Sequence, residues 1–129
     1  MDKPIKGINV DGGTRGNPGE CFYRGKDLET GEILFSEELG MGTNNIAEFL
    51  AVVHAIHYVR KHKIVTPIYT DSVTAMAWVR KMEVNTRFEG DVTPRLNKAC
   101  DYLKKIIPPQ ILKWETKQWG EIPADYGRK

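Results

Sequence analysis

Four acidic residues, Asp11, Glu48, Asp71 and Asp125, stand at the ends or in the middle of apolar runs. Asp11 follows Ile8-Asn9-Val10, Asp71 follows Ile68-Tyr69-Thr70, and Glu48 interrupts the long apolar stretch from Ile46 to Val59. None has a basic residue beside it in sequence. Carboxylates drawn close together repel unless something neutralises them. A hard divalent cation held by oxygen ligands, Mg²⁺ above all, does so. Two such ions about 4 Å apart activate a water and stabilise the leaving oxygen in phosphodiester cleavage.

Each acid also has an ordinary role open to it. Asn45-x-x-Glu48 fits a capping box, with Asn45 capping a helix and Glu48 reaching back to it. Asp11 fits a turn, Asp71 fits the cap of a second helix, and Asp125 fits a solvated tail. What separates the two accounts is whether the fold brings the acids to one edge.

The elements follow from pattern. Residues 4–10 read as a strand, and Asp11-Gly12-Gly13-Thr14-Arg15-Gly16-Asn17-Pro18-Gly19 as a turn rich in Gly and Pro. Residues 21–27 and 32–39 flank Glu29-Thr30-Gly31 as a hairpin. A central helix is expected over 45–62, with Glu48 in its first turn and the basic run Arg60-Lys61-His62-Lys63 at its end. Apolar residues cover most of its circumference, so it is buried on several sides.

Strand 4 is 67–70, and Asp71-Ser72 opens a second helix to Met82 that buries Val73, Met76, Ala77 and Val79. A loop over 83–91, a third helix over 94–107 stopped by Pro108-Pro109, strand 5 over 111–116 and a tail complete the chain. The fold class is α/β: a five-stranded mixed sheet, βββαβαβα, with helices on both faces. A right-handed crossover sets strand 4 parallel to strand 1. Asp11 and Asp71 then lie at neighbouring carboxyl ends, where open α/β sheets bind ligands.

A chain of 129 residues predicts a single domain, spanning 1–129. Its net charge of +2 is too weak to demand a polyanionic partner. No apolar run approaches the ~18 residues of a membrane span. Cys21 and Cys100 lie far apart with no metal-ligand spacing, as two reduced thiols of a cytoplasmic protein do. No obligate protein partner is evident, and a monomer is expected.

Four blocks, Asp11 to Gly19, Thr43-Asn44-Asn45-x-x-Glu48, Tyr69-Thr70-Asp71-Ser72 and Ala124-Asp125, resemble the catalytic blocks of type 1 ribonuclease H, in order and along the whole chain. The ending Leu112-Lys113-Trp114 with Trp119-Gly120-Glu121-Ile122-Pro123-Ala124-Asp125-Tyr126-Gly127-Arg128-Lys129 is similar to that of a bacterial branch whose chain stops soon after its last carboxylate. The resemblance implies hydrolysis of the RNA strand of RNA/DNA hybrids, leaving 5′-phosphate and 3′-hydroxyl ends. It implies two Mg²⁺ ions, with Mn²⁺ as a substitute, held by Asp11, Glu48, Asp71 and Asp125. Glu121 matches an acid that assists at the metal site and in product release. Gly16, Asn17, Asn44 and Asn45 match positions that contact the RNA strand. Thr43, Asn45, Thr86 and Lys113 match a pocket for a DNA phosphate.

The sequence also departs from the family pattern. Val73 stands where many relatives carry a glutamine, and it can donate nothing to RNA. No histidine precedes Asp125 in the final loop, and the short 83–91 stretch leaves no room for a basic handle helix. A hybrid-binding module without catalysis, and a nuclease of the same fold for another nucleic-acid structure, are the alternative functions. His54 and His57 read as packing or surface groups, and Trp78, Trp114 and Trp119 as core and edge anchors.

Overall fold

The glycine-rich stretch after Asp11 is strand, not turn. In a computed structural model that describes residues 2–125, β1 runs Ile8–Gly16 and β2 runs Gly19–Asp27. They pair antiparallel from Ile8↔Asp27 to Gly16↔Gly19, which confines the reversal to Asn17 and Pro18. The glycine at position 12 serves close approach. A Cβ there would lie 2.6 Å from the Ala47 carbonyl carbon of the helix packed above it. Asp11 therefore sits in mid-strand, where a strand end was expected.

The second reversal forms as the pattern predicts. The Asp27 carboxylate accepts from the Glu29 and Thr30 N–H groups at 2.8 and 3.2 Å, and Gly31 takes the positive φ of +77°. β3, Ile33–Gly42, returns antiparallel to β2. α1 spans Asn44–Lys61 and is buried along most of its length, including Ile46, Phe49, Leu50, Val52, Val53, Ile56 and Val59. β4, Ile68–Thr70, pairs parallel with β1 through Ile8↔Ile68 and Asn9↔Tyr69, as the crossover requires.

Two helices then separate β4 from β5: α2, Val73–Lys81, and α3, Thr93–Leu103. β5, Ile111–Lys113, lies parallel to β4, and a single turn, α4, covers Thr116–Trp119. The order is thus βββαβααβα, where βββαβαβα was expected, because two helices and not one join β4 to β5; the strands form one mixed sheet ordered β3-β2-β1-β4-β5. Three further expectations are corrected. α3 ends at Leu103, its last buried residue, four residues short of the expected 107. β5 is three residues long because its partner β4 is. The buried face of α2 is Ala75, Trp78 and Val79, while Val73 is exposed.

Side chains alternate across β1 and β2. Ile8, Val10 and Tyr23 join the core around α1. Asn9 and Arg24 bond to the chain's final stretch. That stretch is anchored by Trp114, fully buried, whose indole N–H donates to the Gly120 carbonyl at 2.9 Å. Trp119 meets the same ring edge-on at 5.1 Å. No helix among the described residues is long and apolar enough to cross a membrane.

Candidate active site

Neither helix cap uses an acid. At α1 the Thr43 hydroxyl accepts from the Ile46 N–H at 3.2 Å, so Thr43 is the cap and the capping box with Asn45 does not form. Counted from Thr43, Glu48 lies in the second turn and not the first. At α2 the Ser72 hydroxyl accepts from the Ala75 N–H at 3.0 Å, which leaves Asp71 clear of capping.

The carboxylates instead meet one another. Asp11 and Asp71 each stand three residues beyond a paired isoleucine, Ile8 on β1 and Ile68 on β4, so the parallel register sets them side by side. Glu48 enters from α1, and its carboxylate accepts a hydrogen bond from the Gly12 N–H. Asp11, Glu48 and Asp71 each offer an oxygen to a set whose members all lie within 4.8 Å of one another. Asp11 has no exposed surface and Glu48 is 8% exposed. Buried charge of one sign at such spacing needs a counter-charge. The donor set, carboxylate oxygen throughout, suits a hard cation such as Mg²⁺ or Mn²⁺ and not a thiolate or imidazole metal. The residues fit the ions that the sequence implied.

Asp125 lies outside that 4.8 Å set. Its backbone is nonetheless laid against the same strands. Arg24 Nε donates to the Ala124 carbonyl and Arg24 Nη2 to the Asp125 carbonyl, both at 2.7 Å. The Ala124 N–H donates to Asn9 Oδ1 at 2.7 Å. Arg24 is the direct cross-strand partner of Asp11. Glu121 is exposed, in the loop that leads to this segment.

The residues matched to RNA contacts gather at the tip of the β1–β2 hairpin and the start of α1. The Asn44 N–H donates to Asn17 Oδ1 at 3.1 Å, and the Thr14 hydroxyl lies 3.4 Å from Asn44 Oδ1. Gly16, Asn17, Asn44 and Asn45 are all exposed there. The residues matched to a phosphate pocket are not joined. Thr43 caps α1, the Thr86 hydroxyl accepts from the Phe88 N–H in its own loop, and Lys113 Nζ donates to the Trp114 carbonyl. Among the described residues no hydrogen bond or ion pair links Thr43, Asn45, Thr86 and Lys113 to one another. Val73 is 67% exposed just after Asp71 and presents only methyl groups.

On the α1 side of β2, the Tyr23 hydroxyl and His54 Nδ1 are 2.7 Å apart, and Phe35 stacks on the imidazole at 3.9 Å. Burial pushes the Tyr23 phenol up, with Glu37 adding to the rise and Arg95 opposing it. Burial likewise pulls His54 below its ordinary 6.5. Both shifts favour the neutral forms, a protonated phenol beside an uncharged imidazole. The groove here, about 500 Å³, is lined by Tyr23, Glu37, His54, His57 and Arg95 among others, and by none of the four carboxylates. His54 is a packing group, as expected.

Three residues close to the site were not anticipated: Asn9, Thr14 and Arg24. The signal for Arg24 was present. A hairpin folded about Asn17 and Pro18 sets it opposite Asp11, once the glycines are taken as strand.

The model of the family described as RNase H matches residues 6–122. Among solved structures, the chain is similar to RNase H1 of the halophilic archaeon Halobacterium salinarum NRC-1, at 20% identity and TM-score 0.60, covering 88% of this chain and 87% of that one. It is also similar to LC11-RNase H1 in complex with an RNA/DNA hybrid, at 20% identity and TM-score 0.57, covering 86% of each chain. A third similarity is to an N-terminal RNase H domain from Mycobacterium tuberculosis, at 21% identity and TM-score 0.52, covering 84% of each. At these identities the structures speak for the fold.

Proposed function

The chain belongs to the RNase H family and is a ribonuclease H; we propose that it hydrolyses the RNA strand of RNA/DNA hybrids by two-metal-ion chemistry, leaving 5′-phosphate and 3′-hydroxyl ends. The observation that carries this is the meeting of Asp11, Glu48 and Asp71 within 4.8 Å, while Thr43 and Ser72 do the capping. The hybrid bound to LC11-RNase H1 supports the substrate.

Asp11, Glu48, Asp71 and Asp125 would hold the cations. When bound, these supply an activated water and neutralise charge on the leaving oxygen. Gly12 steadies the Glu48 carboxylate through its N–H, so Glu48 meets the site in one orientation. Glu121, exposed at the approach to Asp125, assists at the edge of the site and in product release. Gly16, Asn17, Asn44 and Asn45 read the 2′-hydroxyls of a shallow, A-like minor groove. Thr43, Asn45, Thr86 and Lys113 hold a phosphate of the DNA strand. Val73 leaves one RNA contact of the family unmade.

We further place the chain in the bacterial branch that lacks the loop histidine and the handle. It would act as a single catalytic domain over 1–129, monomeric and cytoplasmic. The free thiols Cys21 and Cys100 accord with a reducing compartment.

The test is cleavage of matched, end-labelled hybrid, double-stranded RNA and double-stranded DNA in Mg²⁺. Cutting confined to the RNA strand of the hybrid is expected. Binding without cutting would make the chain a recognition module. Equal cutting of double-stranded RNA or of DNA would assign it to another nucleic-acid structure.

A further inference from the structure

Among the described residues Asp125 lies in no helix or strand, and a turn precedes it, with its N–H donating to the Ile122 carbonyl at 3.0 Å. A carboxylate on such a segment sweeps a wide arc unless the backbone beneath it is fixed. Three side-chain bonds fix it here. Asn9 is fully buried on β1, and both ends of its amide are committed. Its Nδ2 donates to the Lys26 carbonyl at 3.0 Å and its Oδ1 accepts from the Ala124 N–H at 2.7 Å. Each partner can play only one part, a carbonyl accepting and an N–H donating, so the amide has one orientation. Arg24 on β2 spans two successive carbonyls, Ala124 through Nε and Asp125 through Nη2. That grip uses the planar fork of a guanidinium, which a lysine ammonium does not reproduce.

We infer that Asn9 and Arg24 are positioning residues for Asp125, clamping the Ala124–Asp125 backbone so that the fourth carboxylate is presented beside Asp11. The clamp and the cluster share one rung of the sheet, since Arg24 is the cross-strand partner of Asp11. A shift of the strands therefore moves Asp11 and the seat of Asp125 together. The clamp supplies rigidity to a segment that is neither helix nor strand, as a carboxylate that must be presented in one geometry requires. This inference rests on the proposal that Asp125 works with the other three acids.

The test compares wild type, Arg24→Ala, Arg24→Lys, Asp125→Asn and the Arg24→Ala/Asp125→Asn double variant. Amide exchange at Ala124, calorimetric titration with Mn²⁺ alone and hybrid cleavage are measured for each. In Arg24→Ala the Ala124 amide is expected to exchange about tenfold faster, or more, while core amides of α1 are unchanged. Its Mn²⁺ affinity is expected to fall to that of Asp125→Asn, with no further loss in the double variant. Cleavage is expected to lose kcat with KM retained, and Arg24→Lys is expected not to rescue it. Unchanged exchange at Ala124 overturns the clamp, and so does a double variant whose loss is the sum of the two single ones. Should Arg24→Ala not fold, Arg24→Lys is read against the same outcomes. Absence of hybrid cleavage by the wild type would defeat the proposed function, and the exchange and Mn²⁺ results would still decide the clamp.

Discussion

The Gly12 N–H on β1 donates to the Glu48 carboxylate on α1. Strand and helix are thereby locked at the point where both deliver an acid to the same place, since Asp11 is the residue before Gly12. The lock depends on the missing Cβ at Gly12. A methyl group there would stand 2.6 Å from the Ala47 carbonyl carbon and 2.8 Å from the Glu48 backbone nitrogen.

Gly12→Ala is therefore expected to push α1 away from β1. Neither contact is with a flexible side chain, so the backbone must give. We expect a loss of about 1–3 kcal/mol in urea denaturation, the usual range for overpacking. Cleavage should fall further than stability does, because Glu48 moves with α1. A variant of unchanged stability would show that the close approach is wrongly placed.

Glu48→Gln keeps an oxygen to accept from Gly12 while removing one charge from the cluster. With like charges reduced, the metal-free variant is expected to be more stable than wild type by about 0.5–2 kcal/mol. Mg²⁺ at ten times its Kd should stabilise wild type by about 1.4 kcal/mol through binding the native state. The variant should gain less. Urea midpoints with and without Mg²⁺ check both halves. A destabilised variant together with a wild type indifferent to Mg²⁺ would mean that the acids are not clustered.

His54 sets a pH dependence that has nothing to do with the metal site. Burial lowers its pKa from 6.5; Glu37 opposes the shift, and His57 and Arg95 reinforce it. Between the unfolded value and the lower folded one, the unfolded chain binds more protons than the folded one. Stability is thus complete above about pH 6.5 and declines as pH falls from there through the folded pKa. His54→Gln should flatten that decline in a urea series from about pH 7.5 to 5. An equal decline in the variant would assign it to other groups.

Much of the fold was legible because the signals were local. Alternation gave the strands, the long apolar face gave α1, and Asp27 with Gly31 gave the second hairpin. The β1–β2 hairpin was not, because glycine there serves packing against Ala47 and sequence alone shows only its turn propensity. The three clustered acids were legible from their places beside apolar runs. Their competing roles as caps could be dismissed only once Thr43 and Ser72 were seen to do that work. The support of Asp125 was hidden, since Asn9 and Arg24 act on it across more than a hundred residues of chain.

Asp71→Asn tests the central claim most directly, because it removes one charge from the cluster and leaves the α2 cap to Ser72. The measurement is single-turnover cleavage of an end-labelled hybrid in Mg²⁺, with folding confirmed by circular dichroism and thermal unfolding. We expect a folded variant whose cleavage of the RNA strand is slower by at least about a hundredfold, as loss of a preorganised charge at a reaction centre entails. A folded Asp71→Asn protein that cuts the hybrid at close to the wild-type rate would contradict the account.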